Sequence, residues 1–144
     1  MQIDSTAALQ SRQEILINAP VEKVWGLLTD LKNWPKWQPE ISTVTMEGDL
    51  VPGTVFRWKA KSASIVSTLQ EVEAPRRISW TGKAVGTQAV HIYQLEPQGS
   101  QTKVVVEESL AGWFPGIMKV FSPKFLEKSM SASLQTLKAA AEKA

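Results

Sequence analysis

The chain has no cysteine, one histidine and one tyrosine in 144 residues. Without cysteine there are no disulfides, no thiolate nucleophile and no thiolate metal site, and a reducing compartment suits the composition. A single histidine argues against catalytic zinc, which draws on three protein ligands, so no metal is expected. No stretch nears the roughly 18 apolar residues of a membrane span, and stable membrane insertion is not expected. Met1-Gln-Ile-Asp-Ser-Thr-Ala-Ala8 lacks the basic and apolar blocks of a signal peptide, which makes the cytoplasm the expected location. Charge of one sign is missing too. Sixteen basic against 14 acidic side chains leave a scattered net charge of +2, too little for a nucleic-acid surface. Neither a phosphate-cradling glycine loop nor a nucleophile elbow occurs, and nothing points to a cofactor.

What the chain does have is enough apolar sequence for one domain with a real core, and six tryptophans. Residues 1–10 read as a flexible N-terminus and residues 11–144 as a single domain. A first strand is expected from Ser11 to Ile17. The segment from Asn18 to Trp37 is the most informative. Pro20 suits the first turn of a helix, and Val21, Val24, Trp25 and Leu28 recur at the spacing of one buried helical stripe. Pro35 is expected to push Trp34 out of the helical region, leaving a second short turn or helix over residues 31–37.

Strands are then expected near 41–47, 54–60, 63–73, 76–83, 87–96 and 101–110, separated by Gly- and Pro-containing turns. Short links without helices argue for an antiparallel meander. Phe56, Trp58 and Ala60 share one face of their strand, and Ile78, Trp80 and Gly82 share one face of theirs. After Gly112-Trp-Phe-Pro-Gly116, read as a loop, the apolar period lengthens to that of a helix. Ser122 suits an N-cap with Pro123 in the first turn, and Leu126, Met130, Leu134, Leu137 and Ala141 mark the stripe of a helix of roughly 20 residues. Trp113 and Phe114 read as tucked under that helix, the other possibility being an exposed gate or membrane contact. The fold class is α+β, a seven-stranded antiparallel sheet whose apolar face only the C-terminal helix can cover.

Seven signatures in this order resemble the START-like, or SRPBCC, superfamily, in particular bacterial members of polyketide cyclase/dehydrase type. They are Ala19-Pro-Val-Glu-Lys-Val-Trp25, Leu28-Thr-Asp30, Trp34-Pro-Lys-Trp37, Gly53-Thr-Val-Phe56, Pro75-Arg-Arg-Ile-Ser-Trp80, Leu95-Glu-Pro97 and Leu134-x-x-Leu-Lys138. The resemblance implies a helix-grip fold, a curved sheet wrapped around a long C-terminal helix with two short helices after the first strand. It also implies a deep cavity for apolar cargo such as a lipid, sterol, polyketide or aromatic compound. It implies no single activity, because transfer proteins, sensors, cyclases and aromatases share the fold.

The residues themselves nominate a site. Gly99-Ser100 suits a two-residue hairpin turn, and any even loop centred there pairs residues whose numbers sum to 199. His91 then faces Glu108, Tyr93 faces Val106 and Leu95 faces Val104, all on the interior face. A His–Glu pair is an oriented general base, and a neighbouring tyrosine can donate to a developing oxyanion. His91, Glu108 and Tyr93 are therefore the candidate catalytic group. The competing reading is a hydrogen-bonded polar patch without chemistry. Phe56, Trp58, Ile78, Trp80 and Met130 are candidates for ligand contact, with His91, Tyr93 and Glu108 setting orientation. Small or polar neighbours taken as inward-facing (Ala60, Thr68, Gln70, Gly82, Ala89) suggest that the core is incompletely filled. Three functions remain open: binding of a small apolar or aromatic molecule, an enzyme of cyclase, aromatase or dehydratase type, and a protein-interaction module with a collapsed cavity.

Overall fold

The computed structural model describes residues 1–143. Strand β1 (Leu9–Ile17) leads into helix α1 (Val21–Thr29), a 3-10 turn (Leu31–Asn33) and the one-turn helix α2 (Trp34–Trp37). Six strands follow: β2 (Ile41–Met46), β3 (Val55–Ala60), β4 (Ala63–Glu73), β5 (Arg77–Ala84), β6 (Thr87–Gln98) and β7 (Gln101–Ala111). Helices α3 (Trp113–Phe121) and α4 (Phe125–Ala141) complete the chain. All strand pairs are antiparallel, in the order β1-β7-β6-β5-β4-β3-β2, so chain neighbours pair except where β7 returns to β1. This is the α+β helix-grip arrangement expected from the sequence. Register shifts next to Gln70 in β4 and Ser42 in β2 add one residue each to one side of a ladder, which bends a strand.

The apolar stripe of α4, Leu126, Met130, Leu134, Leu137 and Ala141, is buried against the concave face. It meets Ile17, Leu95, Val104 and Val106 of the sheet and Val21, Val24 and Leu28 of α1 in one core. An aromatic group fills the rest: Trp34 lies within 6 Å of Phe56, Trp58 and Trp80, mostly edge to face.

Four local expectations need correction. Trp34 is helical, at φ −51°, ψ −41°, despite the proline after it. The steric preference before proline is outweighed by burial of the indole, whose N–H donates to the Leu28 carbonyl at 3.1 Å. Residues 113–116 are the first turn of α3 rather than a loop. Pro115 falls where helix N–H groups have no intrahelical partner, so the proline is tolerated. Ser122 closes α3, its N–H bonding the Met118 carbonyl, and α4 starts only at Phe125. Finally, β1 starts at Leu9, and the residues before it are tied to the convex face: the Asp4 N–H donates to Ser109 Oγ and Arg77 donates to the Met1 carbonyl. Ile92 and Val105 are buried on that same side, away from α4.

Candidate functional site

Between the sheet and α4 lies a cavity of about 650 Å³. Its origin is a shortage of bulk. Alternation points Ala60, Gly82 and Ala89 inward, each further along its own strand (β3, β5 and β6) than the bulky Phe56, Trp80 and Tyr93. On β4 the inward set is Ala63, Ile65, Ser67 and Leu69, because Ser67 pairs with Phe56 and with Gly82. Thr68 and Gln70, expected to face inward, therefore lie on the convex side, where Gln70 bonds Thr81 at 3.1 Å. The bulge beside Gln70 moves the alternation by one further residue.

Five of the eight candidate contact residues line the cavity: Trp58, Trp80, His91, Tyr93 and Glu108. Phe56, Ile78 and Met130 do not; they are packed solid within the core. Trp58 is held by donation from its indole N–H to Ser67 Oγ at 3.1 Å. Trp80 lies flat against the His91 ring, centroids 4.7 Å apart and planes 2° apart. Tyr93 flanks the same imidazole at 4.8 Å.

The hairpin pairs residues summing to 199 along its whole length, so His91 stands opposite Glu108. Their side chains meet, Nδ1 to Oε2 at 2.6 Å, and each is more than four-fifths buried. A carboxylate only accepts, so this hydrogen bond calls for the proton on Nδ1, and Nε2 is the nitrogen that Glu108 leaves free. Nε2 is buried and has no hydrogen-bond partner among the described residues. Burial pushes the Tyr93 phenol far above its ordinary range, with the charge of Glu108 adding to the effect, so it stands beside the pair as a neutral hydroxyl. An imidazole, the carboxylate bonded to it and a phenol hydroxyl thus line one cavity wall.

The sequence reading missed the helical wall. Ser129 and Ser133 of α4 line the cavity beside Leu126. A signal for them existed: they recur at i and i+4 on the edge of the α4 apolar stripe, small residues where bulk would otherwise project. Leu110 on β7 and Met118 on α3 complete that side. Among the described residues no three His, Asp or Glu side chains gather as a cation site requires, and no helix is long and apolar enough to cross a membrane.

Residues 8–142 match the family described as polyketide cyclase/dehydrase and lipid transport. The chain belongs to that family. Solved structures of similar fold include a hypothetical protein from Helicobacter pylori, 19% identical, with a TM-score of 0.86 over 97% of this chain and 92% of that one. A START superfamily protein from Mycobacterium smegmatis is 16% identical, with a TM-score of 0.78 over 92% and 97% of the two chains. An aromatase/cyclase from Streptomyces is 15% identical, with a TM-score of 0.80 over 92% and 93%. At these identities the likeness concerns the fold. Among curated proteins none matches this chain. Polyketide cyclase/dehydrase family membership accounts for the helix-grip architecture and for a fold suited to apolar ligands.

Proposed function

We propose that the protein binds a small apolar or aromatic molecule in the cavity between the sheet and α4. The observation that carries this reading is about 650 Å³ of space walled by Trp58, Trp80 and aliphatic side chains, with polar groups gathered at His91, Tyr93 and Glu108. Binding sites for small molecules combine apolar walls with a few convergent polar groups in this way. Aromatic walls supply contact area, and the Tyr93 hydroxyl selects a ligand carrying a carbonyl or hydroxyl at one end. A collapsed interior would have favoured a protein-interaction module, and the open space supports the binding reading instead. The natural compartment is proposed to be the cytoplasm.

Calorimetric titration with fused-ring aromatic and fatty-acyl compounds tests the proposal. Saturable binding is expected, weakened about tenfold or more in Trp58→Ala through loss of a large contact surface. Absence of binding across both compound classes, with no thermal shift, would overturn it.

One observation favours a second reading, an enzyme of cyclase, aromatase or dehydratase type. His91 Nε2 is buried without a partner while Nδ1 is held by Glu108, the arrangement of an oriented general base. On this reading a small movement of the ring bares Nε2 to the cavity, where it removes a proton next to a substrate carbonyl while Tyr93 donates to the oxygen that gains charge. A bound compound that turns over in the wild type and binds unchanged in His91→Phe would separate catalysis from binding.

A further inference from the structure

Helix α3 presents its apolar side to solvent. Trp113, Phe114, Ile117, Val120 and Phe121 fall at i, i+1, i+4, i+7 and i+8, a single stripe about 120° wide. All five are exposed, Trp113 by 62%, Val120 by 74% and Phe121 by 82%. The side of α3 that faces the protein holds only Pro115 and Met118. A helix ordinarily buries such a stripe, and a contiguous exposed one marks a contact surface.

The stripe is also held rigidly where it stands. Gly86, in the turn between β5 and β6, lies under the Trp113 indole, and its carbonyl accepts the Phe114 N–H at 3.2 Å. Gly112, at φ 114°, sits against the Gly86 carbonyl so closely that no side chain fits. In the same turn Val85, 83% exposed, extends the apolar tip beside α3.

Charge decides what this tip meets. Lys83, Lys119, Lys124 and Lys128 surround it, and none has a carboxylate within 4 Å among the described residues. Glu127 is the acidic residue among them. A second copy of the chain docking through the same face would set these lysines against their own counterparts. An apolar stripe rimmed by unpaired lysines complements an anionic lipid surface, where aromatic and aliphatic side chains enter the headgroup boundary and lysines meet phosphates.

We propose that the α3 tip docks the protein peripherally on anionic membranes. Trp113, Phe114 and Phe125 line the cavity as well as the tip, so the docked face surrounds the cavity mouth. Ligand then passes between bilayer and cavity without crossing water. That last step rests on the binding proposal above, whereas docking stands on the exposed face alone.

Vesicle co-sedimentation tests it, using phosphatidylcholine vesicles with and without about one-third phosphatidylglycerol. Binding is expected only to the anionic vesicles, falling as salt rises. The double variant Val120→Ser, Phe121→Ser is expected to weaken binding at least about tenfold, and Lys119→Glu with Lys124→Glu by a similar factor. Both variants are expected to keep the affinity of the cavity for a compound titrated in solution. Failure of the wild type to sediment with anionic vesicles, while it still binds that compound, would overturn docking and leave the cavity proposal standing. A wild-type dimer that the double variant converts to monomer would overturn docking as well, assigning the face to self-association.

Discussion

The concave side of this sheet has two ends made by the same strands. At one end Phe56, Leu69, Ile78 and Leu95 are fully enclosed, and Trp34 ties the aromatic group to α1 and the sheet. At the other end Ala60, Gly82 and Ala89 take inward positions four to six residues further along β3, β5 and β6, and the space above them stays open. Along each strand the inward face thus passes from packed core to cavity wall through Trp58 on β3, Trp80 on β5 and Tyr93 and His91 on β6. Trp80 and Tyr93 stand at the border, belonging to both. On the binding proposal, stability and ligand capacity reside at successive positions along the same strands and are separable by substitution.

The largest expected effect sharpens that division from the packed end. Phe56→Ala removes a completely buried ring and is expected to cost about 3–5 kcal/mol in urea unfolding. Ala89→Leu places added bulk in open space, so its stability change is expected to stay within about 1.5 kcal/mol while ligand capacity is lost. Equal destabilisation by both would erase the distinction between the two ends.

A smaller effect is expected at the border. His91→Phe preserves a flat ring against Trp80 but leaves the Glu108 carboxylate without its donor, at an expected cost of about 1–3 kcal/mol. Adding Glu108→Leu to His91→Phe is expected to recover most of that loss, because the stranded charge is gone. Losses that simply add would show that the pair is not coupled.

The smallest effect lies in the titration of Tyr93, the one tyrosine of the chain. An unfolded phenol ionises near about pH 10, and burial raises the folded value. Above pH 10 the unfolded chain releases a proton that the native state retains, so this contribution to stability is present below that pH and is lost as pH rises further. Tyrosinate absorbance is expected to appear together with alkaline unfolding. A reversible native titration near pH 10 would place Tyr93 in contact with water.

Much of this architecture was legible in the sequence, and for particular reasons. The β6–β7 register followed from a two-residue turn and strict alternation, so the His91–Glu108 pairing could be read without coordinates. Strand positions followed from glycine and proline punctuation. Thr68 and Gln70 were misplaced because β4 carries a bulge, which alternation alone does not reveal. Phe56, Ile78 and Met130 were assigned to the ligand because an inward side chain reads alike in a core and in a cavity; only neighbour size in three dimensions separates them. Trp113 and Phe114 were read as a loop tucked under the C-terminal helix because apolar side chains beside a proline and a glycine do not show what covers them; both are exposed on α3.

The central claim is that the space beside Ala60, Gly82 and Ala89 holds a small molecule. Native mass spectrometry of freshly purified wild type and of folded Ala89→Leu tests it most directly, with organic extraction of whatever is released. A discrete bound mass in the wild type that is absent from Ala89→Leu is the predicted result. A bare mass for both proteins, with no compound taken up by the wild type on incubation with aromatic and acyl ligands, would contradict it.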